Sequence, residues 1–158
     1  MTIFILRHGQ AEAQITTDEV RRLTDKGRSD TDRVVQARLA DMASLTQIWA
    51  SSLVRAQQTA EIAASYFPGM TIQTNDLLVP EANPQVLLNW LDELRAQQSN
   101  NPNQSILLVS HQPLVGLLVN MLCGKPEDYY PMGTSSLAAI NAPVIAADMG
   151  DLLWLDHA

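Results

Sequence analysis

Two histidines each come where a short apolar run of the sequence gives way to polar residues. His8 follows the run 3–6 and Arg7, and His111 comes shortly after the run 106–109. Near neutral pH an imidazole can act as a nucleophile or as a hydrogen-bond donor. Arginine adds planar, paired donors that never lose their charge. Such a combination suits chemistry on an anion.

Both apolar runs predict strands that are buried on both faces, as in a parallel sheet. Neither the run 3–6 nor the run 106–109 contains a polar residue. Open α/β sheets bind their ligands at the carboxyl ends of the strands. If the two strands are neighbours in the sheet, we therefore expect His8 and His111 to converge on one crevice.

A third functional residue is predicted at the same edge. The segment 47–50 predicts a short strand, and Arg55 lies at the start of the helix that follows it. Backbone N–H groups of the helix beginning near Pro113 are expected to face the same crevice, as a further anion site. Two histidines with two or three arginines would hold a phosphoryl group, whose transfer requires mainly positioning and charge stabilisation.

The remaining segments alternate between helix and strand patterns. Thr24 is a predicted N-cap of a helix that runs to about Met42, Pro84 and Pro113 open two later helices, and Gly124 closes the second of these. Further strands are predicted at 71–79 (with a break at Asn75-Asp76), 137–140 and 152–155, and a loop at Ser99–Gln104. This alternation predicts an α/β fold.

The predicted architecture is a three-layer α/β/α sandwich with a largely parallel central sheet. The chain has 158 residues, of which 46% are hydrophobic and 17% charged, and this fits a single domain over residues 1–158. The net charge of -7 argues against nucleic-acid binding. Most cations nevertheless lie in the first 38 residues: Arg7, Arg21, Arg22, Lys26, Arg28, Arg33 and Arg38. A locally positive site on an acidic body suits a small anion or a phosphorylated protein.

Several classes of protein are disfavoured. The single Cys123 excludes an internal disulfide and fits a reducing compartment, and a cysteine-based phosphatase would need arginine where Tyr129 stands. The three histidines lack metal-ligand spacing, so neither a metal nor another cofactor is expected. No signal peptide or membrane span is recognised. We expect a cytoplasmic protein that is a monomer and does not bind membranes.

The motifs resemble those of the histidine phosphatase superfamily, and within it those of the SixA-type phosphohistidine phosphatases. The blocks that carry the resemblance are Arg7-His8-Gly9, Ser51-Ser52-x-x-Arg55-Ala56-x-Gln58-Thr59-Ala60 and Ser110-His111-x-Pro113, in this order. The short chain fits as well, as do Val20-Arg21-x-Leu23-Thr24 and His111-Gln112-Pro113-Leu114-Val115-Gly116. The similarity spans the chain from Ile3 to about Ala139.

The resemblance implies a histidine phosphatase-like fold and a role for each of five residues. His8 would be the nucleophile that becomes transiently phosphorylated. Arg7 and Arg55 would bind the phosphoryl oxygens, and His111 would donate to the same oxygens. Arg21 would be a further phosphate ligand at the rim of the pocket.

A general acid is less well defined. Relatives that act on phosphate esters use a carboxylic acid to protonate the leaving oxygen, and Glu81, after Pro80, is the best candidate by position. Asp18 is a weaker candidate, and Glu81 could instead be a solvated loop residue or a helix cap. A phosphohistidine substrate would not require such an acid, because its imidazole can take a proton from water and leave neutral.

The leading hypothesis is a phosphohistidine phosphatase acting on the phosphorylated histidine-phosphotransfer domain of a sensor kinase in a two-component phosphorelay. One alternative is a phosphatase or mutase for small phosphate esters or phospho-Ser/Thr, which would be expected to carry a longer capping insert. Another is a catalytically silent phosphate-sensing module, which would be expected to lack His8 or an arginine. Short loops predict an open site, suited to a phosphate on another protein's surface.

Overall fold

The residues that the structure describes form six strands and four helices. The computed structural model describes residues 1–98, 100–101 and 103–158, so residues 99 and 102 of the predicted loop Ser99–Gln104 lie outside the described residues. The strands are β1 (Thr2–Arg7), β2 (Leu45–Ala50), β3 (Ile72–Thr74), β4 (Ser105–Ser110), β5 (Leu137–Asn141) and β6 (Asp151–Asp156). The helices are α1 (Asp25–Ala37), α2 (Val54–Ala64), α3 (Pro84–Gln97) and α4 (Leu114–Leu122), with short 3-10 turns at Asp18–Val20 and Asp76–Leu78.

All six strands form one sheet in the order β3-β2-β4-β1-β5-β6. The pairs β3-β2, β2-β4 and β4-β1 are parallel, whereas β5 runs antiparallel to both β1 and β6. The prediction of a largely parallel sheet is therefore confirmed. Arg7 lies opposite Ser110, and Ala50 lies opposite Val109. The carboxyl ends of β2, β4 and β1 consequently meet at one edge.

The core lies on both faces of the sheet, which explains why the central strands are apolar throughout. Ile3 and Ile5 belong to a buried cluster with the inner faces of α3 and α4. Phe4 and Leu6 belong to a second cluster with α1 and α2. Alternate residues of a strand point to opposite faces, so β1 contributes to both clusters. The predicted three layers are confirmed.

Most predicted helix boundaries are confirmed. The Thr24 side chain accepts a hydrogen bond from the N–H of Gly27 (3.0 Å), Pro84 is the first residue of α3, and Gly124 follows α4 with φ +62°. The exception is α1, which ends before Met42. The chain turns over residues 38–44 instead, and this turn buries Met42 completely at the entry to β2.

The segment 71–79 forms a shorter strand than predicted, but it breaks where the sequence indicated. β3 ends at Thr74, and the Asn75 side chain accepts from the N–H of Leu77 (2.9 Å), which starts the 3-10 turn. Within the described part of the chain, no helix combines the length and the apolar character that crossing a bilayer requires.

Candidate active site

The two histidines of the sequence pattern meet at the carboxyl edge of the sheet. His8 follows β1 and His111 follows β4, and the two strands are neighbours. The ring centroids are 4.9 Å apart, and both residues are buried. The predicted convergence of His8 and His111 is confirmed.

The backbone next to His8 fixes which nitrogen of its ring carries the proton. Nδ1 lies 2.7 Å from the carbonyl oxygen of Gly9, which can only accept, so Nδ1 is the donor. A neutral ring then keeps its lone pair on Nε2. The Nε of Arg55 donates to this nitrogen at 3.3 Å. The Gly9 carbonyl thus fixes the tautomer of His8.

His8 is held in its neutral form. Burial, opposed in part by the hydrogen bond to the Gly9 carbonyl and reinforced by the charges of Arg55 and Arg7, lowers the pKa of His8 to about 4. Since the charged form is disfavoured, the ring is neutral at pH 7. A neutral imidazole with its lone pair among arginines is a competent nucleophile toward a phosphoryl group.

Gly9 itself is required by packing against α1. A Cβ at this position would lie 2.6 Å from the carbonyl oxygen of Gly27 and 2.9 Å from Oγ1 of Thr31. The N–H of Gly9 donates to Oγ1 of Thr59 on α2 (3.1 Å). The element that approaches the backbone closely at Gly9 is therefore α1.

Arg55 is buried, and Asp18 holds its guanidinium group. Nη1 donates to the Asp18 carbonyl at 2.9 Å, and Nη2 donates to Oδ2 of the Asp18 carboxylate at 3.0 Å. The other carboxylate oxygen accepts from Nη1 of Arg21 at 3.0 Å. Hydrogen bonds from Arg21, and then from Arg55, lower the pKa of Asp18. An ionised carboxylate cannot donate a proton, so the geometry does not support Asp18 as a general acid.

Arg7 points its guanidinium group toward the same edge. Its Nη1 donates to the Met132 carbonyl at 3.0 Å. The Nε of Arg7 is buried and has no hydrogen-bond partner, and the same holds for Nδ1 of His111. Among the described residues, only one other buried side-chain nitrogen or oxygen lacks a partner. Buried donors without a partner are costly. An anion between the two residues would satisfy both.

His111 is positioned by a hydroxyl group. Its Nε2 lies 2.5 Å from Oγ of Ser51, the residue that follows β2. Burial, reinforced by the nearby His8 and Arg55, lowers the pKa of His111 to about 3. This ring is therefore also neutral at pH 7.

Two of the N–H groups near the N-terminus of α4, where the sequence predicted anion binding, have partners within the chain. The N–H of Val115 donates to the His111 carbonyl at 2.9 Å, and the N–H of Gly116 donates to Oε1 of Gln112 at 3.1 Å. Val115 and Gly116 therefore do not offer free N–H groups, and anion binding by the first N–H group of the helix stays a prediction.

Arg21 lies at the rim of the site, as the resemblance implied. It is half-buried, and its Nε donates to the Glu12 carbonyl at 2.7 Å. Glu81 is exposed in the turn after the second 3-10 turn, and no hydrogen bond joins its carboxylate to another described residue. Oγ of Ser110 donates to the Leu78 carbonyl (2.6 Å) and thereby ties this loop to the site edge. The role of Glu81 as an acid stays a prediction.

Three contributors to the site were not assigned a role from the sequence. Ser51 follows β2 just as His8 follows β1, so its position after a strand is a signal that could have identified it. Gln58 accepts from the N–H of Leu23 (2.8 Å) and holds the segment that carries Arg21. The Met132 carbonyl is a backbone group, which no residue type reveals. Among the described residues, no three His, Cys, Asp or Glu side chains group together as metal ligands would.

Comparison with known proteins finds a family model and relatives that are similar to this chain in sequence. The family model of the histidine phosphatase superfamily (branch 1) matches residues 3–79. Phosphohistidine phosphatase SixA of Escherichia coli (strain K12) is 30% identical over 139 residues, which are 88% of this chain and 83% of the relative. A SixA homolog of Haemophilus influenzae is 31% identical over 147 residues, 87% of each chain.

A solved structure is similar over nearly the whole chain. It is the protein histidine phosphatase SixA complexed with tungstate, with a TM-score of 0.82 and 28% sequence identity, covering 98% of this chain and 96% of the other. Sequence and fold therefore agree with the motifs and with the geometry at the sheet edge. The chain belongs to the histidine phosphatase superfamily and, within it, to the SixA-type group.

Proposed function

We propose that this chain hydrolyses phosphohistidine on a protein, through a phosphohistidine intermediate on its own His8. The observation that carries the proposal is the state of His8. Its Nδ1–H is bound to the Gly9 carbonyl, and its Nε2 lone pair lies beside Arg55 in a buried, cationic site. Its relatives named SixA are phosphohistidine phosphatases, which supports this choice of substrate.

In the first step, the phosphorus–nitrogen bond of the substrate breaks as a bond from phosphorus to Nε2 of His8 forms. Charge on the phosphoryl oxygens is met by the guanidinium groups of Arg7 and Arg55 and by Nδ1–H of His111. The departing imidazole takes a proton from water and leaves neutral, the phosphorylated His8 ring keeps its proton on Nδ1, and the hydroxide formed is neutralised by the proton released in the second step. One phosphorus–nitrogen bond replaces another, so this step needs no acid from the protein.

In the second step, water attacks the phosphorus atom and the bond to Nε2 of His8 breaks. Inorganic phosphate leaves with the oxygen of the water, and the two water protons pass to phosphate and to solvent. The electron pair of the broken bond returns to Nε2, so His8 is again neutral, with its proton on Nδ1 beside the Gly9 carbonyl. The cycle is then complete.

We infer that the natural substrate is a phosphorylated histidine-phosphotransfer domain of a two-component relay, dephosphorylated in the cytoplasm. The rim segment, residues 12–22, supports a protein substrate. It carries Arg21 and Asp18 at the site, and on the same segment Ile15 is 90% exposed and Val20 is 53% exposed. Apolar side chains beside the site are available to contact a protein that presents its phosphoryl group to His8.

A substrate panel tests this proposal. It compares a phosphorylated histidine-phosphotransfer domain, a phosphoserine peptide, a sugar phosphate and an aryl phosphate, with His8→Ala as the inactive control. We expect the highest kcat/KM for the phosphohistidine protein. Strong turnover of esters with negligible turnover of phosphohistidine would contradict the proposal and favour the small-ester alternative.

The variant Glu81→Gln separates the two substrate classes further. Its kcat/KM for the phosphohistidine protein should stay within about tenfold of the unmodified enzyme, because the leaving imidazole needs no positioned acid. Activity on an alkyl phosphate should fall by about 10²–10⁴ if Glu81 protonates the leaving oxygen. A collapse on both substrates would place Glu81 in the binding pocket itself.

A further inference from the structure

We propose that Ser51 is a positioning residue, which fixes His111 in the tautomer that carries its proton on Nδ1. The inference rests on the proposed function in one respect, namely that His111 donates to the phosphoryl group. The geometry behind it is the contact between Oγ of Ser51 and Nε2 of His111, at 2.5 Å between two buried residues.

The backbone holds Ser51 rigidly at the point where β2 ends. Its N–H donates to the Val109 carbonyl of β4 at 3.2 Å, and its own carbonyl accepts from Nε2 of Gln57 at 2.7 Å. Ser51 is 0% exposed, so water does not reach its hydroxyl. The hydroxyl must therefore find its partners within the protein.

Counting protons decides the direction of the hydrogen bond. The N–H of Leu53 donates to Oγ of Ser51 at 3.4 Å, so the hydroxyl oxygen already accepts. Among the described residues, the only acceptor recorded within hydrogen-bond distance of that oxygen is Nε2 of His111. The opposite direction would leave the buried hydroxyl proton without an acceptor, which is unfavourable. Ser51 therefore donates to Nε2, and a neutral His111 must carry its proton on Nδ1.

This tautomer is the one that the reaction requires. β4 lies between β2 and β1, so His111 stands between Ser51 and His8, with its Nε2 directed toward Ser51. Its Nδ1 is buried and has no partner. With its proton on Nδ1, His111 would donate a hydrogen bond to an oxygen of the phosphoryl group on His8. In the other tautomer, the lone pair of Nδ1 would face the anion and repel it. Ser51 thus acts on the reaction through His111.

Nitrogen-15 NMR of the whole protein labelled in its histidines reads the tautomer directly. At pH 7 we expect His111 to be protonated on Nδ1 and unprotonated on Nε2. Ser51→Ala should shift the ring toward the Nε2–H tautomer or a mixture, and Ser51→Thr, which keeps the hydroxyl, should retain the original form. Ser52→Ala is the matched control, because Ser52 is the exposed neighbour.

Kinetics on a phosphohistidine protein give the second readout. In Ser51→Ala, kcat should fall by about 10–100-fold, by analogy with residues that orient metal-ligating histidines, with KM changed less. Ser52→Ala should match the unmodified enzyme. A loss of kcat without a change of tautomer would reduce Ser51 to a structural role and overturn the inference.

The spectrum of the unmodified protein also tests the inference without any variant. Protonation of His111 on Nε2, or on both nitrogens at pH 7, would overturn it. The proposed function has a different failure: the unmodified protein would not turn over phosphohistidine. The NMR spectrum would still report the tautomer of His111 in that case, so the two failures can be distinguished.

Discussion

At the scale of single residues, the site keeps two imidazoles neutral within a cluster of arginines. Burial is the largest cause of the low pKa of both His8 and His111, and the arginines add to it. The same cations that would bind a phosphoryl group therefore also keep the nucleophile unprotonated. The Gly9 carbonyl determines which nitrogen of His8 keeps its lone pair for attack, and the Ser51 hydroxyl determines which nitrogen of His111 carries the proton.

The pKa of His8 can be measured by following its ring signals in an NMR titration. We expect a midpoint near pH 4, well below the ordinary value of about 6.5. Since unfolded His8 binds a proton that the native residue does not, its contribution to stability is present above pH 6.5 and is lost as the pH falls toward 4. That contribution is about 3 kcal/mol.

His8→Ala should therefore show a shallower loss of unfolding free energy between pH 6.5 and 4 than the unmodified protein does. Carboxylates titrate in the same range, but they contribute equally to both proteins and cancel in the difference. His8 lowers the pKa of His111, so its removal raises that pKa and makes the pH dependence shallower in the same direction. Identical pH dependence, or an NMR midpoint near 6.5, would contradict a buried, neutral His8.

Asp18 competes with phosphate for two of the arginines. Its carboxylate accepts from both Arg55 and Arg21, and 40% of its side chain is exposed. Asp18→Asn should strengthen inhibition by inorganic phosphate and by tungstate about two- to fivefold, because a partly exposed ion pair is worth up to about 1 kcal/mol. Inhibition constants at fixed ionic strength measure this.

Glu19→Gln is the control for Asp18→Asn, because it removes the same charge from the neighbouring, exposed position. Equal strengthening in the two variants would mean that only long-range charge matters. Weaker oxyanion binding in Asp18→Asn would show instead that Asp18 orients the arginines for the ligand.

At the scale of elements, the site is made by three strand ends and the segments that leave them. β2, β4 and β1 deliver Ser51, His111 and His8 to one edge, and α2 adds Arg55. The turn after β1 is pressed against α1, where the chain has no room for a side chain on Gly9. The position of His8 therefore depends on the fit between this turn and α1.

Gly9→Ala should lower both stability and activity. Its Cβ would meet the backbone of α1 at 2.6 Å, and backbone cannot move aside as a flexible side chain can. Overpacking of this kind costs about 1–3 kcal/mol, which urea denaturation would detect, and the displaced Gly9 carbonyl would release Nδ1 of His8. Gly133→Ala is the control, since its nearest atom lies at 3.8 Å. Equal stability and kcat in both variants would contradict this role for Gly9.

At the scale of the whole molecule, the sequence predicted the sheet, its layers and the meeting of the two histidines. Apolar runs indicate strands but not their order, so the convergence of His8 and His111 depended on β1 and β4 being neighbours. The position of Asp18 could not be predicted, because it lies in an irregular segment without periodicity. Hydrogen bonds to backbone carbonyls, such as that from Arg7 to Met132, could not be predicted either, because every residue type has a backbone carbonyl.

The rim segment places two exposed apolar side chains, Ile15 and Val20, beside the site. Ile15→Ser with Val20→Ser should lower kcat/KM for a phosphorylated histidine-phosphotransfer domain by roughly tenfold, the scale of losing one good interface contact. Turnover of an aryl phosphate should not change, because neither side chain is buried in this chain.

A matched double variant controls for the loss of exposed apolar surface as such. Val86→Ser with Leu153→Ser alters side chains that are 46% and 55% exposed on α3 and β6. It should leave both activities unchanged. If it lowers protein dephosphorylation as much as the rim variant does, or if the rim variant is fully active, the rim segment is not where the protein substrate docks.

The central claim is that His8 carries the phosphoryl group during turnover, and trapping the intermediate tests it most directly. The protein is mixed with a phosphorylated histidine-phosphotransfer domain, quenched in alkali, digested and analysed by mass spectrometry. An acid-labile phosphate on His8, absent from His8→Ala, is the predicted result. A phosphate on another residue, or undiminished turnover by His8→Ala, would contradict the account.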